Sequence, residues 1–258
     1  MTHAVLCEDL WKTYQRHRPL GVKSLLLGAD PPRDTRFARE WALSELGFQV
    51  PRGRSFGVIG PNGSGKTTLL SILLGTVKED RGRVSLSGRV ASLLELGAGF
   101  HGDLTGRENV FLYGSILGMR LAEIRRRFEN IAEFSELERA IEQPLRTYSA
   151  GMIARLGFSI IIHSAADILL IDEVLAVGDA SFQAKCHRAL REFRARSGTL
   201  VIVSHNMKEV TEVCDEGICL DLGRVVDAGP MGGVAARYQE RAAGANAGIR
   251  GAAPRVIK

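Results

Sequence analysis

The sequence predicts an α/β fold with a parallel core sheet, and three observations carry that expectation. Strand and helix signals alternate along much of the chain. Two continuous apolar runs, Ile168–Asp172 (ILLID) and residues 199–204 (TLVIVS), have the composition of strands covered on both faces. A glycine-rich segment, residues 60–67, stands between an apolar strand and a helical pattern.

Taken in order, residues 46–54 end in Pro51 and Gly53, a turn that feeds the short strand Ser55–Ile59. Residues 102–166 show almost no β-branched alternation, and helical patterns cover 107–119, 121–134 and 152–164. This stretch reads as a mostly helical insertion in the α/β core. Between the two apolar runs, Phe182, Cys186, Leu190 and Phe193 fall at helical spacing over residues 180–196, before Gly198 stops the helix. Residues 217–229 (GICLDLGRVVDAG) read as a hairpin closing the core, with its turn near Leu222 and Gly223. Two segments look peripheral. Residues 16–40 are rich in Arg, Pro and Gly, and residues 242–258 are Ala/Gly-rich with basic residues at the end, as in a flexible tail. One domain over residues 1–241 is therefore expected, and no internal repeat is visible.

At 258 residues the chain has room for one large domain. Mean hydropathy is near zero and no 18-residue uncharged apolar run occurs, which argues against a membrane span. The nearest approach, residues 158–171, is broken by His163 and Asp167. Glu8 and Asp9 stand where a secretory signal would be apolar, so the chain is expected to stay in the cytoplasm. Cys7, Cys186, Cys214 and Cys219 show no CxxC spacing and read as small hydrophobes. A formal charge of +5 suits an anionic partner (nucleic acid, phospholipid or nucleotide) without choosing among them.

Gly60-Pro61-Asn62-Gly63-Ser64-Gly65-Lys66-Thr67 is a complete GxxxxGK[ST] loop, and Thr68 directly behind it is counted with the loop as ATP-binding. Glycines let the backbone wrap phosphates, where successive N–H groups and the helix dipole stabilise negative charge. Lys66 can reach the β- and γ-phosphates of ATP, and Thr67 can ligate Mg²⁺. A chance glycine-rich turn is the plainer alternative; the strand before and the helix after weigh against it. Downstream, Asp172 and Glu173 end a buried strand, where α/β folds place ligand-binding groups. Asp172 can hold Mg²⁺, and Glu173 can polarise the water that attacks the γ-phosphate.

Tyr148-Ser149-Ala150-Gly151-Met152 resembles the signature loop of ABC ATPases, usually Leu-Ser-Gly-Gly-Gln, and lies upstream of the Asp172 strand as in that family. The resemblance implies an ABC-type P-loop NTPase core, with a parallel sheet, an antiparallel β subdomain and a helical subdomain. It also implies that Ser149 and Gly151 cap the nucleotide of an opposite subunit. Ala150 and Met152 depart from the usual Gly and Gln; Ala150 still leaves room for backbone approach. Asp179 matches the closing Asp of the family's D-loop, and His205 its switch histidine. Tyr14 matches the aromatic that stacks on adenine, although an ordinary strand tyrosine would look the same. The Q-loop glutamine is missing. Glu95 is the nearest polar residue at its place, either taking over its contacts or lying at a transporter interface.

Two longer stretches, residues 94–109 and residues 172–186 (DEVLAVGDASFQAKC), resemble the ATPase subunits of polysaccharide exporters, which move O-antigen, related glycans and teichoic acids. Gly102 departs from the group's usual Pro, while the 16–40 insertion is in keeping with it. Implied by this resemblance are a homodimer, a separate multi-spanning permease that handles the lipid-linked glycan, and a peripheral position on the cytoplasmic face of the inner membrane. Because the chain stops about twenty residues after its last core segment, a C-terminal carbohydrate-binding domain is not expected. The rival reading is a soluble ABC ATPase acting on nucleic acid or ribosomes. The run Arg125-Arg126-Arg127 would suit it, but reads better as a solvated helix face. Neither a long coiled-coil insertion nor a second ABC domain is present, so no nucleic acid is expected. A non-catalytic nucleotide-binding regulator is disfavoured by Lys66, Asp172, Glu173 and His205.

Overall fold

A computed structural model describes residues 3–15, 39–93, 99–172, 178–204 and 206–250. Along the chain lie β1 (His3–Gln15), β2 (Arg39–Pro51), β3 (Ser55–Ile59), α1 (Lys66–Leu73), β4 (Arg81–Leu86) and β5 (Val90–Ser92). The helices α2 (Gly106–Ile116), α3 (Leu121–Ser135) and α4 (Ala150–Ile162) follow. The remainder is β6 (Ile168–Asp172), α5 (Ala180–Ala195), β7 (Thr199–Val203), α6 (Met207–Val213), β8 (Glu216–Asp221), β9 (Arg224–Pro230) and α7 (Met231–Arg250).

The core sheet runs β5-β6-β7-β3-β8-β9; its first five strands are parallel, and β9 returns antiparallel as the second arm of a hairpin. Side chains on a strand alternate between faces, so an apolar run feeds two cores at once. Ile168 and Leu170 pack with Val201, Val203 and α1 on one face. Leu169 and Ile171 pack with Leu200, Ile202 and the helices on the other. Each fully buried side chain of this kind contributes about 1.5–3 kcal/mol of hydrophobic stabilisation. The antiparallel subdomain is a separate sheet, β2-β1-β4, whose inward residues Val5, Leu10, Leu43 and Leu46 join the first of these cores.

Ser55–Ile59 and Ile168–Asp172 are strands over the residues that the sequence marks for them. The helical subdomain is present between residues 102 and 166; α3 starts at the expected Leu121, while α2 and α4 start one and two residues earlier than their apolar periodicity because their caps fix the starts. Thr105 and Glu108 form a capping box at α2, and the Ser149 hydroxyl caps α4. The expected hairpin turns at Leu222 and Gly223, both at positive φ. All four cysteines are buried and form no disulfide among the described residues, and burial pushes the Cys7 and Cys186 thiols up to about 12.

Two expectations change, and a third falls mostly outside the described residues. α7 continues through residues 242–250, where the composition suggested a flexible tail, because alanine favours helix and no proline interrupts before residue 254. Of the 16–40 insertion, residues 16–38 lie outside the described residues, and Arg39 and Glu40 belong to β2. Arg127 is not a solvated charge. It turns inward and donates to the carbonyls of His163 and Ser164 just past α4, where a cation complements the helix dipole. Among the described residues no helix is long and apolar enough to cross a membrane.

Candidate functional site

β3 ends in the loop that the sequence marks for phosphate. Gly60, Gly63 and Gly65 hold φ of 149°, 79° and 102°, which side-chain-bearing residues rarely adopt. A Cβ at Gly60 would lie 2.1 Å from the Leu220 carbonyl oxygen, and one at Gly65 2.5 Å from that of Ala42. The Ser64 carbonyl accepts the Gly223 N–H at 3.1 Å, and the Gly223 carbonyl accepts from Ser44 N–H at 2.9 Å. The β8–β9 turn thus sits between the loop and β2 and braces both.

Lys66 is buried, and its ammonium folds back over the loop, donating to the carbonyls of Gly60 at 2.9 Å and Pro61 at 2.8 Å. Pro61, Asn62, Gly63 and Thr67 are exposed, Thr68 half-buried. No acidic residue occupies the first turn of α1 and no side chain among the described residues caps it, so the positive end of its dipole favours an anion there. Ser64 Oγ is buried and takes no hydrogen-bond partner among the described residues. An unpaired buried hydroxyl costs about 1–3 kcal/mol, and a phosphate oxygen is the kind of acceptor it lacks. The loop therefore fits a phosphate-bearing ligand.

Sheet register brings the second group to the same edge. Val58 of β3 and Asp172 of β6 both pair with Val203 of β7, so they share one row with a single strand between them. Two inter-strand steps put their backbones about 9–10 Å apart. Asp172, half-buried at its strand end, therefore belongs to the carboxyl edge from which the phosphate loop springs. An exposed Thr67 hydroxyl and a strand-end carboxylate are the hard oxygen donors that Mg²⁺ takes.

Ser149 and Gly178, the neighbour of Asp179, line one cleft apart from the phosphate loop. Ser149, Ala150 and Gly151 are exposed at the start of α4, and the Ser149 hydroxyl accepts from Met152 N–H at 3.2 Å. Met152 is half-buried against the helical core. Tyr148, counted with the same loop in the sequence, is turned inward and donates to the Ala140 carbonyl at 2.7 Å; burial raises its pKa. Asp179 caps α5, and hydrogen bonds from Ser181 and Phe182 with the nearby Arg155 charge hold its carboxyl at about 2. A cleft of about 530 Å³ is lined by Ser149, Gly151, Met152, Arg155, Glu136 and Gly178, among others, and by none of residues 60–68.

Tyr14 lies on β1, 45% exposed, with the Lys12 ammonium 5.7 Å from its ring centre. The strand beneath it is tied down by Asp80, which accepts from Thr13 N–H and Thr13 Oγ1 at 2.7 Å each and from Lys12 Nζ at 3.1 Å. Glu95, Glu173 and His205 lie outside the described residues. Sequence reasoning passed over Arg155, Glu136 and Asp80. Arg155 carries a signal, one helical turn beyond Met152; the other two carry none that is local.

An α/β sheet with a phosphate-cradling loop on one strand, a carboxylate two strands over and a helical subdomain inserted between them defines a P-loop ATPase. Residues 43–176 match the ABC transporter family. Over 225 residues the chain is 46% identical to the O-antigen export system ATP-binding protein RfbB of Klebsiella pneumoniae, covering 87% of this chain and 92% of that one. It is 42% identical over 200 residues to the teichoic acids export ATP-binding protein TagH of Lactococcus lactis, covering 78% of this chain and 42% of the longer relative. In structure it is similar to an ATP-binding subunit of an ABC transporter, with TM-score 0.74 at 21% identity over 92% of this chain and 93% of that one. It is also similar to the dimeric, post-hydrolysis ATP-binding cassette MJ0796 bound to ADP and Pi, with TM-score 0.70 at 20% identity over 88% and 98% of the two chains; at such identities the likeness concerns the fold. The chain belongs to the ABC transporter family, as its ATP-hydrolysing subunit.

Proposed function

We propose that this chain, as a homodimer on the cytoplasmic face of the inner membrane, powers a separate multi-spanning permease that exports a lipid-linked polysaccharide. The observation that carries this reading is the 46% identity to an O-antigen export ATP-binding protein along 92% of that protein's length. The inward turn of Arg127 removes one charge from the basic run that favoured nucleic acid, which weakens that rival.

In this reading the loop amides, Ser64 and Lys66 bind and orient the phosphates, and Tyr14 stacks on the adenine. Thr67 and Asp172 would hold Mg²⁺, which supplies charge neutralisation at the phosphate oxygens when bound. Glu173 accepts a proton from the attacking water, and His205 orients the γ-phosphate. Ser149 and Gly151 cap the nucleotide held by the other subunit. The exposure of both, in a cleft apart from the chain's own phosphate loop, supports completion in trans. Glu95 and its neighbours, with the exposed apolar Leu112, Ile116 and Leu121 of the helical subdomain, would face the permease.

The test is a pull-down of tagged Glu173→Gln protein from detergent-solubilised membranes with ATP and Mg²⁺. Recovery of one multi-spanning permease in equal amounts is expected; recovery of nucleic acid or ribosomes with no membrane protein would overturn the export reading and leave the ATPase intact.

A further inference from the structure

α3 ends on an unusual residue. Its C-cap, Glu136, sits at φ 59° and ψ 34°, the left-handed conformation that glycine or asparagine ordinarily takes there. A charged side chain in that position is explained by what its carboxylate reaches. Glu136 accepts from Arg155 Nη1 of α4 at 2.8 Å and from Lys185 Nζ of α5 at 3.3 Å. Lys185 also donates to the Phe134 carbonyl at 2.8 Å, closing the end of α3. From its other nitrogen, Arg155 Nη2 reaches Asp179 at 2.6 Å, and its guanidinium lies 4.9 Å from the centre of the Phe182 ring.

Arg155 is only 18% exposed, so these ion pairs are less screened than the surface pairs around them. A forked guanidinium spanning two carboxylates fixes an angle as well as a distance. Three elements therefore meet at one side chain: the end of α3, the helix whose first residues are the exposed signature loop, and the cap of α5 behind Gly178. A Cβ at Gly178 would come within 3.1 Å of Arg155 Nε, so the chain entering α5 is packed on this junction too.

We propose that Glu136 and Arg155 are positioning residues for the trans nucleotide site: together with Asp179 they lock the signature helix to the segment entering α5, so that the two move as one rigid unit toward the partner's nucleotide. The proposal rests on the reading that Ser149 and Gly151 cap nucleotide across a dimer. It assigns neither residue a contact with ATP.

The experiment uses full-length Glu173→Gln protein as parent and follows ATP-driven dimerisation by sedimentation, with the affinity of monomer for a fluorescent ATP analogue measured alongside. Arg155→Met is expected to raise the ATP concentration for half-dimerisation about tenfold, with monomer affinity unchanged within about twofold. Arg155→Lys, able to serve one carboxylate at a time, should fall between. Glu136→Gln should shift in the same direction, and the double variant Glu136→Gln/Arg155→Met no further than Arg155→Met alone. Should Arg155→Met fail to fold, Glu136→Gln, an exposed and isosteric change, carries the test. Unshifted dimerisation in the folded variants, or an equal loss of monomer affinity, overturns the assignment. No ATP-driven dimer in the parent overturns the capping reading beneath it.

Discussion

Lys66 Nζ lies 2.9 Å from the carbonyl oxygen of Gly60, six residues back, with Pro61 as its second acceptor. The ammonium is therefore held at the mouth of the loop before any anion arrives. Lys66→Met keeps the stem and removes the charge. It should lower ATP affinity at least about tenfold and abolish measurable hydrolysis, while the thermal transition moves little. Nucleotide titration and a melting curve on the same sample separate the two effects.

The glycines of the loop differ in what they tolerate. Gly60→Ala puts a methyl into the Leu220 carbonyl as well as straining φ, so destabilisation of at least about 2 kcal/mol and loss of nucleotide binding are expected. Gly63 has nothing within 4 Å of a built Cβ, so Gly63→Ala should cost only the left-handed strain, about 1–2 kcal/mol. Urea unfolding of the two variants checks the order.

Ser149 separates capping from ligand contact. Ser149→Ala loses a helix cap, a cost of about 1 kcal/mol. Ser149→Asp keeps the cap and adds a negative charge on the exposed face that, in the proposed trans site, would meet the partner's phosphates. Ser149→Asp should therefore be as stable as the parent protein and inactive as an ATPase. Full turnover in Ser149→Asp would remove Ser149 from the trans site.

Asp80 gives a pH signature. Hydrogen bonds from Thr13 and the Lys12 charge lower its pKa from 3.8 to about 2, so the native state binds fewer protons than the unfolded chain below pH 4. Its stabilisation is complete above about pH 4 and is lost as pH falls through 2. With the side chain about one-third exposed, solvent screening leaves the effect near 1 kcal/mol. Asp80→Asn should be less stable than the parent at pH 7 by that amount, and the gap should close toward pH 2 in acid denaturation curves.

The buried thiols offer a simple check of the cores. With Cys7 and Cys186 pushed up to about 12 and all four cysteines buried, native protein should resist a thiol reagent at pH 8, and all four should react in denaturant.

What the sequence displays plainly is whatever repeats or is local: the phosphate loop, the two apolar strands to within one residue of their observed bounds, and α5 from its 3.6-residue spacing. The antiparallel sheet is hidden for a physical reason. β1 changes register against β2 at four places, and Asp9 and Glu45 take positive φ, so bulges break the two-residue alternation that marks a strand. α6, seven residues long, is too short for a periodicity to show. The inward turns of Tyr148 and Arg127 depend on carbonyls supplied by other segments, and the Glu136 junction on cations from two other helices, and no window of residues around them contains that information. Asn109 shows the middle case. It belongs to a stretch recognised by resemblance, and its fully buried amide stitches the carbonyls of His101, Leu104 and Thr105 into the turn before α2.

The brace between the phosphate loop and the β8–β9 turn has one more consequence. Gly223 is more than 150 positions along the chain from Ser64, yet its N–H holds that residue's carbonyl, and Ala42 and Leu220 wall the same loop from two other strands. A peptide spanning β3 and α1 alone would carry every residue of the loop and none of its scaffolding. The nucleotide pocket is consequently a keystone: its shape exists only once the two ends of the domain have closed around it, and nucleotide binding serves as a readout of whether the whole domain has assembled.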